Sequence, residues 1–336
     1  MATVPEGTMN SPSALSFGRT SSIAKKVIGT PSVGPLLVLL AFGVIFSLTN
    51  PRFLATQNLS IILQQTVIIG TLAIGQTLII LTAGIDLAVG AICVLGTILA
   101  GKLVNSGYDP IAAMALAVLA CTAAGVAAGS LISGLRLPPF IVTLGILGII
   151  TAALRLISAG GAFAVNDDFL GWTGNTIRLN GFVVTYGVII MLLLYGFIWF
   201  LLNQTQWGRH VYAVGNNPEA ARLVGIPVGR LLLSVYVLAA FIYGIAAWLA
   251  LGRIPNADPN ALQTANLDSI TAVVIGGTSL FGGRGGLIGT LIGALIVGVL
   301  RNGLTLAGID PLWQDLITGI LVIVAVALDQ LTRGRR

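Results

Sequence analysis

Charged side chains are scarce in this chain. Of its 336 residues only 8% are Asp, Glu, Lys or Arg, whereas 56% are hydrophobic and the mean hydropathy is +0.99. Soluble globular domains carry about 25% charged residues, so this composition excludes a water-soluble protein. The apolar content also excludes a disordered chain, and the 43 glycines show no Gly-X-Y period of the collagen type. The composition therefore predicts an all-α membrane protein.

Metal ligands and nucleophilic side chains are equally sparse. His210 is the only histidine, and the two cysteines, Cys93 and Cys121, lie in apolar runs where a thiol behaves as a small hydrophobe. These residues supply neither a metal cluster nor a nucleophile with its base. The net charge of +6 comes from basic residues scattered at loop ends, a pattern that does not indicate nucleic-acid binding. We expect no metal, no nucleic-acid partner and no catalytic residue.

Ten apolar stretches of suitable length predict a polytopic helical bundle with about ten transmembrane segments. The eighth stretch is short and rich in glycine, and the connection around Asp86 is only a few residues long, so either segment could be re-entrant or broken. Two halves of five spans would form a 5+5 inverted repeat. The stretches cover residues 31–49, 59–83, 87–105, 110–134, 138–158, 182–202, 230–251, 267–283, 286–305 and 312–331.

The distribution of Lys and Arg predicts the orientation in the membrane. With ten spans and the N-terminus inside, eleven basic residues face the cytoplasm and six face the other side, which places both termini in the cytoplasm. Residues 1–30 are rich in Ser, Thr, Gly and Pro and are expected to form a disordered cytoplasmic tail. The first apolar run starts only near Val33, so we expect an uncleaved first span and a membrane domain over residues 31–336.

The longest inner loop past the tail, residues 203–230, carries the signals of a short helix. Asn217 is a suitable N-cap, Pro218 suits the first helical position, Glu219 complements the helix dipole and Gly225 offers a left-handed stop. These signals predict about two turns over residues 218–224. Isolated helices shorter than about 12 residues are marginal in water, so this one must pack on its own membrane domain or dock on a cytoplasmic partner.

Four stretches of the chain resemble the ribose-type, or monosaccharide, permease family of ABC transporters, and the resemblance runs from about residue 35 to the C-terminus. Two of them flank membrane spans, one follows the fourth span and one is the loop just described. They are residues 81–90 (LTAGIDLAVG), 137–145 (LPPFIVTLG), 208–226 (GRHVYAVGNNPEAARLVGI) and 272–286 (AVVIGGTSLFGGRGG).

The resemblance implies an inner-membrane permease subunit that imports a monosaccharide by alternating access. Its expected partners are a cytoplasmic ABC ATPase, a periplasmic sugar-binding protein and a second permease copy, in a homodimer or a heterodimer, within membrane lipid. The chain itself would bind no cofactor, since ATP and Mg would sit on the ATPase. In this family the short helix in loop 203–230 is the coupling helix, which implies an ATPase-coupling role for Asn217, Pro218, Glu219, Ala220, Ala221, Arg222 and Gly225.

Residues 96–102 meet the first seven positions of a phosphate-binding loop, but Leu103 replaces the Ser or Thr that binds magnesium. The segment also lies in an apolar stretch, which favours close helix packing with Lys102 reaching the surface. We therefore expect ATP hydrolysis on a partner chain. Small-residue stripes at Gly125 and Gly129, and at Gly285, Gly289 and Gly293, favour packing in the same way.

Neutral polar side chains inside the spans are candidates for the path of a hydroxylated solute, because sugar hydroxyls need hydrogen-bond partners. Bonding between helices explains the same residues equally well. The candidates are Gln64, Gln65, Thr66, Gln76 and Thr77.

The remaining candidates are three acidic residues at the ends of predicted spans and one glycine-rich stretch. Asp86 is expected to cap the next helix at Leu87 rather than contact solute, and Asp268 is expected to cap the eighth helix. Asp315 could face the solute path or lie at the outer interface. We assign Asp86 to a structural or gating motif that also includes Gly276, Gly277, Thr278 and Ser279.

An ion-coupled secondary transporter or channel is the alternative function. Proton or sodium coupling usually places carboxylates near the middle of the bilayer. The acidic residues here lie at the ends of the predicted spans, which favours the ATP-driven importer.

Overall fold

The computed structural model describes residues 33–179 and 181–333, so the predicted tail over residues 1–30 lies outside the described residues. These residues form thirteen α-helices. In chain order they are α1 (Val33–Thr49), α2 (Thr56–Leu81), α3 (Val89–Asn105), α4 (Pro110–Gly134), α5 (Pro139–Ser158), α6 (Asp168–Gly171), α7 (Tyr186–Gln204), α8 (Gln206–Asn216), α9 (Pro218–Leu223), α10 (Val228–Arg253), α11 (Ala265–Ile275), α12 (Leu287–Leu306) and α13 (Pro311–Arg333).

Each predicted apolar stretch coincides with one of these helices. Among the described residues, six helices are long and apolar enough to cross a membrane, namely α2, α4, α5, α7, α10 and α12. The apolar helices α1, α3 and α11 are shorter, and so is the apolar segment Pro311–Ala327 of α13. The eighth stretch ends its helix at Ile275 and continues as a glycine-rich loop. The prediction of a helical, multi-pass membrane protein is therefore confirmed.

Two long helices, α2 and α10, form the centre of the bundle. Leu72 and Leu78 of α2 and Tyr236 and Tyr243 of α10 are among the largest side chains that are fully buried. Small residues let the neighbouring helix approach, since a Cβ added at Gly125 of α4 would lie 2.5 Å from the Ala240 Cβ. The same holds for Gly129, so the predicted packing role of this stripe is confirmed.

A second close contact joins α11 to α12. A Cβ at Gly289 or Gly293 would lie less than 2 Å from a carbonyl oxygen of the α11 region, so only glycine permits this approach. Gly285 does not belong to the stripe, contrary to the prediction. It precedes α12, which begins at Leu287, and it has φ +130°. Its conformation is a property of the preceding loop.

The segment that resembles part of a phosphate-binding loop is helical. Residues 96–102 lie inside α3, and a Cβ at Gly96 would contact Ala247 and Cys121 across the helix interface. The Lys102 ammonium donates to the Ile157 carbonyl. A phosphate-binding loop needs free backbone N–H groups, whereas those of residues 96–102 lie inside helix α3 and form its hydrogen bonds. The packing interpretation of this segment is confirmed.

Two short antiparallel strand pairs occur in the described residues and were not predicted. Strand β1 (Phe163–Ala164) pairs with β4 (Asn256–Ala257), which ties the α5–α6 connection to the α10–α11 connection. Strands β2 (Thr176–Leu179) and β3 (Phe182–Thr185) form a hairpin before α7. Strands β1, β2 and β3 precede α7 and β4 follows α10, whereas α8 and α9 connect the other ends of these two helices.

Candidate functional site

Helix α9 has the predicted start. The Asn217 Oδ1 accepts hydrogen bonds from the N–H groups of Glu219 and Ala220, both at 3.0 Å, and Pro218 occupies the first helical position. An N-cap of this kind satisfies donors that a helix start leaves unpaired, and it typically contributes about 1 kcal/mol. The sequence pattern thus identified this helix correctly.

The end of α9 is a Schellman motif. Gly225 has φ +85° and donates to the Arg222 carbonyl at 3.0 Å, while Ile226 donates to the Ala221 carbonyl at 3.0 Å. The left-handed stop at Gly225 is confirmed. The helix is one residue shorter than predicted, because Val224 is the C-cap.

One side of α9 is buried and its end is open. Ala221 is 3% exposed and anchors the helix, whereas Leu223 is 89% exposed and Val224 is 77% exposed. Both exposed side chains are large and apolar, although the surrounding loop is polar. An adjacent exposed apolar pair is suited to contact with another protein.

Three of the resembling stretches meet beside α9, in a cluster that we call the glycine junction (residues 81–86, 212–216 and 276–286). Gly283 donates to the Leu81 carbonyl at 2.9 Å, which links the end of α2 to the loop before α12. A Cβ at Gly215 would lie 1.7 Å from that same carbonyl oxygen, so α8 touches backbone directly. The loop carrying α9 therefore contacts both the turn after α2 and the turn after α11.

A tyrosine adds a side-chain contact to the glycine junction. The Tyr212 hydroxyl donates to the Gly285 carbonyl at 3.1 Å. Burial raises the pKa of Tyr212 above its ordinary value, so the phenol stays protonated and keeps its role as donor.

The loop after α11 holds the other predicted motif residues in a fixed turn. Gly277 has φ +87° and, with Thr278, closes α11 by a second Schellman motif through the Val274 and Val273 carbonyls. The Thr278 hydroxyl accepts from Gly286 at 3.3 Å. Two further contacts complete the turn: Ser279 N–H donates to the Arg284 carbonyl, and Gly276 lies against the Gly289 backbone.

Asp86 lies in the turn between α2 and α3, where it is 3% exposed. Its Oδ1 accepts from the Ala88 N–H at 2.8 Å, and α3 begins only at Val89. The predicted cap at Leu87 is therefore wrong, since the Leu87 N–H donates to the Thr143 hydroxyl instead. The carboxylate stabilises the turn two residues before the helix.

The polar residues predicted in the second span fall into two environments. Gln65 and Thr66 line a cavity of about 540 Å³, and Gln64 lines a separate one of about 60 Å³. Gln76 and Thr77 are fully buried in the helix core. The Thr77 hydroxyl bonds to the Thr290 hydroxyl at 2.8 Å, while the Gln76 amide has no hydrogen-bond partner in the described part of the chain.

The larger space, which we call the polar cavity, lies between α2, the α10–α11 connection, α12 and α13. Its walls combine charged and amide side chains. The main polar residues on them are Gln65, Arg253, Gln263, Asp268, Arg301 and Asp315.

Sequence reasoning missed the ion pairs at this cavity. Arg301 of α12 contacts Asp268 at 2.8 Å and Asp315 at 3.1 Å, and it also donates to the Thr264 hydroxyl at 3.1 Å. Asp268 lies in the first turn of α11 and does not cap the helix, contrary to prediction, because Thr264 is the N-cap residue. A lone arginine in an apolar helix was the available signal, since such a charge needs a partner. Asp315, for which the solute path and the outer interface were both expected, forms an ion pair with Arg301 and lines the polar cavity.

Among the described residues, no group of three or more His, Cys, Asp and Glu side chains is placed to hold a metal ion. The polar cavity presents ion pairs and amide side chains, which can donate and accept hydrogen bonds.

Known proteins match this chain over most of its length. Residues 58–326 match the family described as the permease component of the branched-chain amino acid transport system. The fructose import permease FrcC of Rhizobium meliloti is 46% identical over 314 residues, covering 90% of this chain and 86% of the relative. No solved structure matches the chain.

Two further relatives carry other sugar names. The ribose import permease RbsC of Bacillus subtilis is 38% identical over 300 residues, covering 89% of this chain and 92% of the relative. The galactose/methyl galactoside import permease MglC of Escherichia coli is 36% identical over 317 residues, covering 90% and 94%. The chain therefore belongs to the monosaccharide permeases of the ABC importer family, which are multi-pass transport subunits of the inner membrane.

Proposed function

We propose that this chain carries a monosaccharide across the inner membrane as the permease subunit of an importer driven by a separate ATPase. The observation that carries the proposal is the glycine junction, where the loop bearing α9 contacts the turn after α2 and the turn after α11. The names of the relatives support a sugar as solute, with fructose, ribose and galactose as the first candidates.

The coupling step runs through α9. The ATPase binds the exposed Leu223 and Val224, while residues 217–222 and Gly225 form and terminate the helix. Backbone contacts at Gly215 and Gly283 are too close to slide, so movement of α9 displaces the ends of α2 and α11. The solute path then switches between outward and inward openings. ATP and Mg bind to the ATPase, and this chain supplies no cofactor site.

The proposed topology has ten crossings, in which the shorter helices α1, α3, α11 and α13 also span, in two inverted halves of five. Both termini are cytoplasmic, residues 1–30 are a cytoplasmic tail, and residues 31–336 are the permease domain with loop 203–230 for coupling. The Lys and Arg distribution supports this arrangement. It places the glycine junction at the cytoplasmic side and the polar cavity at the opposite side.

Three protein partners complete the proposed importer. A cytoplasmic ABC ATPase binds at α9, a periplasmic sugar-binding protein delivers solute to the opposite side, and a second permease copy completes the membrane part. Gln65 and Thr66 line the solute path, because they are the polar residues of α2 that face the polar cavity.

Reconstitution in proteoliposomes tests the proposal. The complex of permease, ATPase and sugar-binding protein should take up radiolabelled D-fructose, D-ribose or D-galactose only when ATP is present. The purified permease alone should hydrolyse no ATP. Uptake by the permease alone under a proton or sodium gradient would overturn the proposal and favour the secondary transporter.

A further inference from the structure

Arg301 uses only part of its hydrogen-bonding capacity. All three of its hydrogen bonds to described residues come from one nitrogen, Nη2, which contacts Thr264, Asp268 and Asp315. Its Nε is buried and has no hydrogen-bond partner in the described part of the chain. A guanidinium carries five N–H donors in a planar fork, so several remain for another molecule. Nη1 makes no hydrogen bond to the described residues and is not buried, so its two N–H groups are available to a ligand in the cavity.

The space next to Arg301 is large enough for a small solute. The polar cavity is a partly open space of about 540 Å³, within the range of about 300–1,000 Å³ that is typical of ligand sites. Gln65 from α2 and Gln263 from the α10–α11 connection line the same space. Both amides can donate and accept hydrogen bonds.

The charges of the cavity walls cancel. Arg253 and Arg301 are balanced by Asp268 and Asp315, so the walls have no net charge. A site for an anion or a cation would need an excess of the opposite charge to offset the desolvation of the ligand. Balanced charges mixed with amides instead match hydroxyl groups, each of which donates and accepts.

We propose that Arg301, oriented by Asp268 and Asp315, is the specificity-determining contact of a binding station for a neutral, polyhydroxylated solute in the polar cavity. This inference rests on the proposed function and identifies where the permease itself holds its solute. Asp268 and Asp315 fix Nη2 of the guanidinium, and the two N–H groups of Nη1 and the amide of Gln65 contact the solute hydroxyls.

The ion pairs have a simpler alternative role, which is to tie α11, α12 and α13 together. The variant Asp268→Asn/Arg301→Gln/Asp315→Asn, which we call the amide-pair variant, distinguishes the two roles, because amides of similar size preserve neutral links from α12 to α11 and α13. If the ion pairs only tie helices, this variant should transport sugar almost normally. If Arg301 contacts solute, uptake should fall about tenfold or more, as expected for the loss of charged hydrogen bonds.

A thiol-protection measurement reports on the cavity without any transport step. Cysteine replaces Gln65 in the full chain in membranes, and a water-soluble maleimide labels it with and without millimolar D-fructose, D-ribose or D-galactose. The native Cys93 and Cys121 are buried and serve as a silent background. Ser106→Cys, on an exposed residue away from the cavity, is the matched control.

We expect the sugar that the wild-type complex transports to slow labelling at position 65, to leave position 106 unchanged, and to lose this effect when Arg301→Lys is added. Arg301→Lys keeps the charge but removes the planar fork. Normal uptake by the amide-pair variant, or no sugar protection at position 65, would overturn the inference. If the variants give either of these results while the wild-type complex transports sugar, only this inference fails and the proposed function stands. If the wild-type complex itself transports no sugar, the proposed function is refuted.

Discussion

The glycine junction and the polar cavity lie towards opposite ends of the same helices. The junction consists of backbone contacts, whereas the cavity is lined by polar side chains. At the junction, backbones touch directly, as at Gly215 and Leu81. At the cavity, charged and amide side chains surround about 540 Å³ of space. Close backbone contact transmits displacement, whereas a lined space accommodates a changing occupant. This difference supports the proposal that coupling takes place at one end of α2 and α12 and solute contact nearer the other.

The largest effect is expected when helix α9 is disrupted, because α9 is proposed to move the glycine junction. Ala221→Pro eliminates the hydrogen bond from Ala221 to the Asn217 carbonyl, 3.0 Å long, and a proline inside a helix costs about 3 kcal/mol or more. We expect ATP-dependent uptake in vesicles to be lost while the amount of permease in the membrane is unchanged. Retained uptake would exclude a coupling role for α9.

A single methyl group at the junction should have the next largest effect. In Gly215→Ala the new Cβ would lie 1.7 Å from the Leu81 carbonyl oxygen, a backbone atom that cannot rotate away. Such overpacking costs about 1–3 kcal/mol, and we expect uptake to fall about tenfold. The control is Gly229→Ala, whose nearest atoms lie 3.8 Å away, and its uptake should match the wild type. Equal activity of the two variants would contradict transmission through this contact.

Two glutamines of α2 allow the polar cavity to be compared with the packed core, since Gln65 lines the cavity and Gln76 is fully buried. Gln76→Met removes a buried amide without hydrogen-bond partners among the described residues, which should raise the free energy of unfolding by about 1–3 kcal/mol. Uptake should not change. Gln65→Met, at the cavity wall, should lower uptake and should not raise the free energy of unfolding. Thermal unfolding in detergent and uptake assays measure both effects, and reduced uptake by Gln76→Met would place that amide on the solute path.

The smallest expected effect concerns the turn after α2. Ala83 has φ +60°, in the left-handed region that costs a residue with a Cβ about 1 kcal/mol. Ala83→Gly should therefore raise thermal stability slightly. Ala100→Gly, in the middle of α3, is the control and should lower stability by about 1 kcal/mol. A destabilised Ala83→Gly variant would show that the methyl group contributes more by packing than it costs in backbone strain.

Local features were predictable from sequence. Helix α9 starts and ends on signals that lie within ten residues, from Asn217 to Ile226, so its cap and its Schellman motif could be read directly. The apolar stretches likewise marked the membrane helices, because the bilayer sets their length and composition. The resembling stretches identified the family.

Features that depend on the packing of distant residues were not predictable. Arg301 pairs with residues 33 and 14 positions away on two other helices, and no periodicity indicates such partners. In the turn after α2 the left-handed residue is Ala83, although a glycine is its neighbour. Gly84 is needed because a Cβ there would lie 2.7 Å from the Tyr236 hydroxyl of α10. Sequence patterns report local backbone preferences and miss such contacts.

The sidedness of α9 tests the central claim most directly. In Leu223→Cys the thiol replaces a side chain that is 89% exposed, and the native cysteines are buried. A membrane-impermeant maleimide should label this position in inside-out vesicles and leave it unlabelled in sealed right-side-out vesicles. Labelling from the periplasmic side would contradict the account, because an ATPase in the cytoplasm could not then reach the helix.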